Sequence, residues 1–235
     1  MFLVLSAMAG ERQRAWRLVA VAAAAWAFVA AAPRAHAQAP PADGPTATVS
    51  VAASELLWRR STAFGLPWSG SLFNGVQLPA EGDAWFSWDE VLERSPDRGW
   101  RRWGSDYLLR KLLRVARAYR AANPEAPRVC VSDISRPRGG PFGAAFGGLG
   151  HQSHQNGLDV DVCYPRVDGR ERGIASVSQI DPALAQDLVD RFVAAGAQFV
   201  FVGPHTGLTG PPRVVQPLIY HDDHMHVRFP NRRRF

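Results

Sequence analysis

Five of the seven histidines in this 235-residue chain fall in two short windows, which scattered surface histidines would rarely do. The first window, from His151 to Asp161, reads HQSHQNGLDVD and holds two imidazoles and two carboxylates. The second window, from His221 to His226, reads HDDHMH and lies near the C-terminus. Imidazoles and carboxylates bind zinc and carry protons in hydrolytic sites. The two windows therefore indicate one metal-dependent hydrolytic site.

Alternation of residue types predicts that each window lies on a β-strand. Residues 158–162 alternate apolar with acidic side chains, so Asp159 and Asp161 share one face of a half-buried strand. Apolar residues likewise alternate with His224 and His226, so these two histidines share a face of a second strand. If the two strands are antiparallel neighbours in one sheet, these histidines and carboxylates can lie side by side on the same face of that sheet.

Two imidazoles and one carboxylate, with a fourth position left to water, are typical of a catalytic rather than a structural zinc shell. We therefore expect His154, Asp161 and His226 to bind Zn2+. An ion held in this way lowers the pKa of its bound water to about 7. A base must then lie beside that water, and His224 is predicted to serve. We expect the side chain that orients the His224 imidazole to be His221, Asp222 or Asp223.

Other interpretations of the chemistry-bearing residues carry less weight. A Ser-His-Asp hydrolase using Ser153 lacks the G-x-S-x-G elbow. The glycine-rich segment 141–150 has no strand-to-helix context for a phosphate cradle, and it is predicted to be a mobile flap. The isolated His205 is interpreted as a surface residue.

Residues 1–37 are predicted to be a secretory signal peptide. Three arginines between positions 12 and 17 precede the apolar run Leu18 to Ala32, and Ala35-His36-Ala37 is a small-x-small cleavage site. An uncleaved anchor is the alternative, although a membrane span needs roughly 20 apolar residues. Residues 38–50, rich in Pro, Ala and Thr, are predicted to be a flexible leader.

Export determines what else is expected of the chain. Residues 51–235 are predicted to form one domain that carries the zinc site and is periplasmic or secreted, with no stable membrane span after cleavage. Removing residues 1–37 removes four arginines and one glutamate, so the formal charge falls from +6 by 3 to +3. Export argues against a nucleic-acid partner. It also places Cys130 and Cys163 where disulfides persist, and we expect them to be bridged, with two buried free thiols as the alternative.

The pattern of elements predicts an α+β fold with a small central antiparallel sheet, flanking helices and the zinc site on the sheet. Amphipathic helices are predicted at 105–122 and 181–195, and strands at 128–134, 158–164 and 199–202. A short helix at 54–60 and a hairpin at Asn74-Gly75 are also expected.

Three motifs resemble those of the penicillin-insensitive murein endopeptidases. They are S-H-Q-x-G-L-D-x-D (Ser153 to Asp161), D-I-S-x-P-R-G-G (Asp133 to Gly140) and H-x-x-H-x-H-V-R (His221 to Arg228). The H-x6-D and H-x-H pattern is shared with lysostaphin-type enzymes and D-alanyl-D-alanine peptidases. The resemblance spans roughly residues 71–229.

The resemblance implies that His154, Asp161 and His226 bind Zn2+, that His224 acts at the reacting water, and that His221 and His151 lie near by. It also implies hydrolysis of the peptide cross-links of peptidoglycan on a central antiparallel sheet. We count His221 with the catalytic residues and His151 with the substrate-binding residues.

Arg138 precedes two glycines and is a candidate to bind a substrate carboxylate bidentately, with a structural salt bridge as the alternative. Two rival functions also remain open. One is a D-Ala-D-Ala carboxypeptidase or dipeptidase of the same superfamily, and the other is a non-catalytic cell-wall binding protein containing zinc. The sequence does not determine the oligomeric state.

Overall fold

The structure is a computed structural model that describes residues 56–143 and 151–231. The predicted signal peptide (1–37), the predicted leader (38–50) and residues 144–150 of the glycine-rich segment lie outside these ranges. Within the described ranges, no helix is long and apolar enough to cross a membrane.

A seven-stranded, mostly antiparallel sheet forms the centre of the fold, and it is larger than the small sheet that the sequence predicts. The strands are β1 (Thr62–Leu66), β2 (Ser69–Phe73), β3 (Val76–Gln77), β4 (Glu81–Gly82), β5 (Trp85–Ser87), β6 (Trp103–Gly104), β7 (Val129–Val131), β8 (Asp159–Cys163), β9 (Phe199–Val202), β10 (Val215–Pro217) and β11 (His224–Arg228). The central sheet has the order β10-β9-β11-β8-β7-β5-β4, in which the β10–β9 and β7–β5 pairs are parallel. Strands β1 and β2 form a separate hairpin, and β3 pairs with β6.

The central strands give the sheet two chemically different faces, because successive side chains on a strand point in opposite directions. One face is apolar and belongs to the main core, with Val129, Val131, Val160, Val162, Val200, Val202, Met225 and Val227. The other face is polar where β8 and β11 pair antiparallel, with the cross-strand pairs Asp159–Arg228, Asp161–His226 and Cys163–His224. Burial of the valines therefore fixes which way the histidines and carboxylates point.

Two helices cover the apolar side, as the sequence predicts. Helix α1 (Asp106–Ala122) begins after Ser105, whose hydroxyl accepts a hydrogen bond from the backbone N–H of Leu108 at 3.1 Å. Helix α2 (Pro182–Ala194) begins after Asp181, whose carboxylate accepts from two backbone N–H groups of the first turn. Such caps satisfy N–H groups that have no partner within the helix. The buried stripes of both helices join the same core as the valines.

Two local predictions were wrong. Residues 56–60 contain no helix. Asn74 does turn the chain, with φ of 50°, but β3 then pairs with β6 instead of β2. The hairpin lies earlier in the chain, where β1 and β2 pair and Pro67-Trp68 forms the turn between them. A turn signal reports where the chain bends, whereas distant partners decide which strands pair.

Cys130 and Cys163 form a disulfide, as predicted, and it joins β7 to β8. Since Cys163 is the cross-strand partner of His224, this covalent link lies on the polar face of the sheet.

Candidate metal centre

Neighbouring antiparallel strands bring the two histidine windows together. Asp161 on β8 and His226 on β11 are directly opposite each other, so their side chains leave the sheet on the same face. Both are almost fully buried, at 3% and 6% exposure. The predicted convergence of the two strands is confirmed.

His154 reaches the same place from the loop before β8. Its φ is +66°, a left-handed backbone conformation that is rare for residues other than glycine. The carboxylate of Asp159 stabilises this turn by accepting a hydrogen bond from the His154 backbone N–H at 3.0 Å. Gly157, with φ of +71°, then lets the chain return into β8.

A second loop, which contains Gly139 and Gly140, packs against the turn at His154. Gly139 has a φ of +69°, and a Cβ there would lie 2.1 Å from the carbonyl oxygen of Gln155. Gly140 donates its N–H to that same oxygen at 2.8 Å. The two glycines of the D-I-S-x-P-R-G-G motif thus allow the two loops to touch through their backbones.

Four potential ligand atoms, from three residues, converge at the floor of a cleft. His154 Nε2 lies 3.2 Å from His226 Nδ1 and 3.2 Å from Asp161 Oδ2. His226 Nδ1 lies 3.0 Å from Asp161 Oδ1. In a tetrahedral zinc site with bonds of about 2.1 Å, neighbouring ligand atoms are about 3.4 Å apart. The spacing therefore matches a zinc-sized ion with little adjustment.

The hydrogen-bond partners of the two imidazoles leave lone pairs pointing inward. His154 Nδ1 lies 2.7 Å from the carbonyl oxygen of Ile134, which can only accept, so Nδ1 carries the hydrogen and Nε2 is free to bind. His226 Nε2 faces Asp159 Oδ1 at 3.5 Å, an orientation that likewise keeps its hydrogen away from the cluster. Asp161 Oδ1 is buried without a hydrogen-bond partner among the described residues. The nitrogen lone pairs and carboxylate oxygens that converge here repel one another unless a proton or a metal cation lies between them. When unprotonated, these residues therefore fit a divalent metal ion.

The charges around the cluster shift the pKa values of its members in opposite directions. Burial lowers the pKa of His154. Burial acts the same way on His226, but Asp159 and Asp161 outweigh it and raise its pKa to about 9. Burial would raise the pKa of Asp161, yet the adjacent His154 and His224 hold it well below its ordinary value. In the metal-free protein the raised pKa of His226 favours a proton beside these carboxylates, and a metal ion bound through His226 would displace that proton.

His224 lies at the side of the cluster with a carboxylate behind it. Its Nδ1 hydrogen-bonds Asp223 Oδ1 at 2.7 Å, and its Nε2 is 3.8 Å from Asp161 Oδ1. Burial lowers the pKa of His224, but Asp161 and Asp223 reverse this effect and raise it. His221 lies next to it, with ring centroids 4.9 Å apart, and its Nδ1 donates to the carbonyl of Ile219 at 2.8 Å.

His151 lies on the opposite flank of Asp161. Its Nδ1 is 3.6 Å from Asp161 Oδ2, and its Nε2 is 2.6 Å from Asp133 Oδ2. The potential ligand atoms of His151, His154 and Asp161 all lie within 4.8 Å of one another, so these three also form a possible metal-binding group. We favour His226 over His151 as the third ligand, because His226 Nδ1 lies 3.0 Å from an Asp161 oxygen and His151 Nδ1 lies 3.6 Å away.

The predicted carboxylate-binding arginine, Arg138, does not line the cleft, whereas two other arginines do. Arg138 is exposed, and its side chain is not part of the cleft lining. Arg101 and Arg228 line the cleft instead, paired with Asp133 and Asp159 respectively. Sequence reasoning assigned no role to either one. Arg101 has no distinctive spacing, and Arg228 ends the H-x-x-H-x-H-V-R motif without any sign of its partner Asp159.

Glu90 also lines the cleft and was not anticipated. It follows β5 and receives a hydrogen bond from the indole N–H of Trp88 at 3.2 Å. Burial, strengthened by the charge of Asp223, raises the pKa of Glu90 to about 8. No local pattern marks this carboxyl, since its environment comes from strands distant in sequence.

The cleft has a volume of about 820 Å3 and an apolar rim. The rim residues Trp68, Val91, Leu218, Ile219 and Tyr220 are between 40% and 87% exposed. Tyr220 has a φ of +64°, a strained conformation of the kind that clusters at functional sites. The ligand cluster is therefore buried at the base of a wide groove that remains accessible from solvent.

Comparison with known proteins agrees with this architecture. The family model of the penicillin-insensitive murein endopeptidases matches residues 63–195, which is more than half of the chain. The matched region contains His151, His154 and Asp161 and ends before the second histidine window.

Curated relatives carry the same name. The penicillin-insensitive murein endopeptidases of Yersinia pestis bv. Antiqua (strain Antiqua) and Yersinia pseudotuberculosis serotype I (strain IP32953) are each 28% identical to this chain over 200 residues. The similarity covers 73% of this chain and 70% of each relative. The chain therefore belongs to the penicillin-insensitive murein endopeptidase family, a family of peptidases that act on peptidoglycan.

Proposed function

We propose that this protein is a zinc-dependent endopeptidase that hydrolyses the peptide cross-links of peptidoglycan after export to the periplasm or beyond. His154, Asp161 and His226 hold the ion in this proposal. The observation that supports it is the convergence of three side chains, with contacts of 3.0 to 3.2 Å between two imidazole nitrogens and the two Asp161 oxygens, at the floor of an accessible groove.

In this proposal the metal ion activates the substrate and water, and nearby side chains transfer the proton. When bound, zinc supplies a Lewis acid that polarises the scissile carbonyl and lowers the pKa of water. His224, oriented by Asp223, accepts the proton of the attacking water and returns it to the leaving amine. His221 lies beside His224 as a second catalytic imidazole, with its Nε2 left free by the hydrogen bond at Nδ1.

The shape of the groove favours an endopeptidase over a carboxypeptidase. A carboxypeptidase needs a cationic group at the end of a closed pocket, to bind the terminal carboxylate of its substrate. Here the two arginines that line the groove, Arg101 and Arg228, are already paired with Asp133 and Asp159. The rim of the groove is exposed, so a peptide within a polymer can reach the cluster from solvent.

Purified protein lacking residues 1–37, incubated with muropeptide dimers and with monomers, tests this function. Cleavage of dimers that is lost with a chelator and regained with zinc is the expected result. Trimming of the monomers alone would support the carboxypeptidase. Zinc binding without turnover of either substrate would support the cell-wall binding protein.

A further inference from the structure

A buried ion pair lies behind His151 and has no role in the mechanism described above. Arg101 is 2% exposed and donates to both carboxylate oxygens of Asp133, through Nε and Nη2. Asp133 is 4% exposed and lies two residues after the end of β7. Together they lie between the core and the cleft, against the imidazole of His151.

The pair determines which nitrogen of His151 carries the hydrogen. Asp133 Oδ2 lies 2.6 Å from His151 Nε2, and a carboxylate held by an arginine can only accept. Burial would raise the pKa of Asp133, but its interactions with Arg101 and His151 outweigh burial and lower it. Arg101 Nη2 lies 3.2 Å from the same nitrogen, but the shorter contact of Nε2 is to the carboxylate. We therefore take Nε2 as the donor to Asp133, which makes Nδ1, with its lone pair, the acceptor of the neutral ring.

That lone pair faces the proposed site. His151 Nδ1 lies 3.6 Å from Asp161 Oδ2, on the flank opposite the Asp223–His224 pair. The ring is also held on its two sides, with centroids 5.1 Å from Phe142 and 4.6 Å from His154. Its orientation is therefore fixed by contacts on every side except the cleft.

The neighbouring Arg102 shows what a purely structural arginine does in the same segment. It is 9% exposed and donates to the backbone carbonyls of Asp97 and Leu78. Unlike Arg101, it is not part of the cleft lining. Two adjacent buried arginines thus serve different ends, one supporting a loop and the other a side chain of the site.

We propose that Arg101 and Asp133 are positioning residues of the hydrolytic site, which present the Nδ1 acceptor of His151 to the reacting groups. The inference rests on the proposed function, because it assigns His151 to the same hydrolysis. A carboxylate behind an imidazole is a recurrent way of fixing ring orientation and tautomer at hydrolytic metal sites.

A double-mutant cycle on dimer hydrolysis tests whether Asp133 acts through His151. The variants are Asp133→Asn, His151→Ala and the combination, with kcat and KM measured for each. Asp133→Asn is expected to lower kcat about 10- to 100-fold. In the His151→Ala background the same change is expected to alter kcat by no more than about twofold, because the side chain that it positions is already gone. A loss of equal size in both backgrounds would overturn the inference.

Arg101→Lys provides a second route if Asp133→Asn does not fold. It retains a charge beside Asp133 but loses the bidentate geometry, so we expect a smaller loss of kcat that also disappears in the His151→Ala background. Arg102→Lys is the matched control and should lower thermal stability without changing kcat. Equal kcat values for Arg101→Lys and wild type would contradict the inference.

The tautomer of His151 gives a readout that does not depend on activity. Long-range 1H–15N spectra of the wild-type protein should show a protonated Nε2 on His151, and Asp133→Asn should change that signature. An Nδ1–H tautomer in the wild type would overturn the inference even if the enzyme is active. If wild type and Arg102→Lys neither bind zinc nor cleave dimers, the proposed function itself fails.

Discussion

At the residue scale, most of the candidate site follows from residue type and spacing. Alternation places Asp161 and His226 on the polar faces of two strands, and the structure pairs them directly. The contributions of Asp133, Arg101 and Glu90 do not follow from spacing, because their environment is created by segments far apart in sequence. Arg138 shows the converse, since a distinctive motif position turned out to have an exposed side chain outside the cleft lining.

His224→Ala tests the division between metal binding and proton transfer. Since His224 Nε2 lies 3.8 Å from Asp161 and outside the cluster of three, we expect this variant to keep zinc and to lose about 100- to 10,000-fold in kcat. His205→Ala is the matched control, because His205 forms a similar 2.7 Å pair with Asp222 but is exposed and outside the cleft lining. Loss of zinc from His224→Ala, or an equal effect of His205→Ala, would contradict the assignment.

Glu90 makes the stability of the metal-free protein depend on pH. Its pKa is about 8 in the folded protein and about 4.3 in an unfolded chain, so between these values the folded state holds a proton that the unfolded state has released. Stability is therefore lost as pH rises from about 4.3 to about 8.

Glu90→Gln mimics the protonated form and removes this dependence. We expect the variant to gain about 2 to 3 kcal/mol over wild type on going from pH 5 to pH 8, after allowing for solvent at the cleft. Chemical denaturation in the presence of a chelator at the two pH values measures the difference. The same stability difference at both pH values would show that Glu90 does not titrate in this range.

At the element scale, the helices were predictable and the strand pairing was only partly so. α1 and α2 carry their own caps and apolar stripes, which are local signals. The β3–β6 pair and the parallel β5–β7 pair join segments separated by other elements, and nothing near Asn74 specifies them. Pairing between distant strands is set by packing of the whole sheet, so turn residues alone do not reveal it.

The disulfide between β7 and β8 should stabilise the sheet beneath the site. It closes a loop of 33 residues, for which chain entropy gives about 3 to 4 kcal/mol. We expect Cys130→Ala/Cys163→Ala to lose about 2 to 4 kcal/mol in denaturant unfolding. Reductant should destabilise the wild type similarly and leave the double variant unaffected. Equal stability of wild type and variant would contradict this role.

At the scale of the whole molecule, the two faces of the central sheet have different roles, one in the core and the other in the candidate site. Its apolar face packs on both helices, while its polar face, the loop before β8 and the loop before β11 form the groove. The class of fold could be predicted from the order of elements, but the seven-strand sheet and its two parallel pairs could not. The groove itself depends on loops that meet only in the folded chain.

The central claim is that His154, Asp161 and His226 jointly hold one zinc ion, and metal stoichiometry tests it most directly. Metal analysis after dialysis against trace zinc should find one ion per wild-type chain. His154→Ala, Asp161→Ala and His226→Ala should each retain far less, while His224→Ala and the folded control His205→Ala should match wild type. Stoichiometric zinc in all three ligand variants, or none in the wild-type protein, would contradict the account.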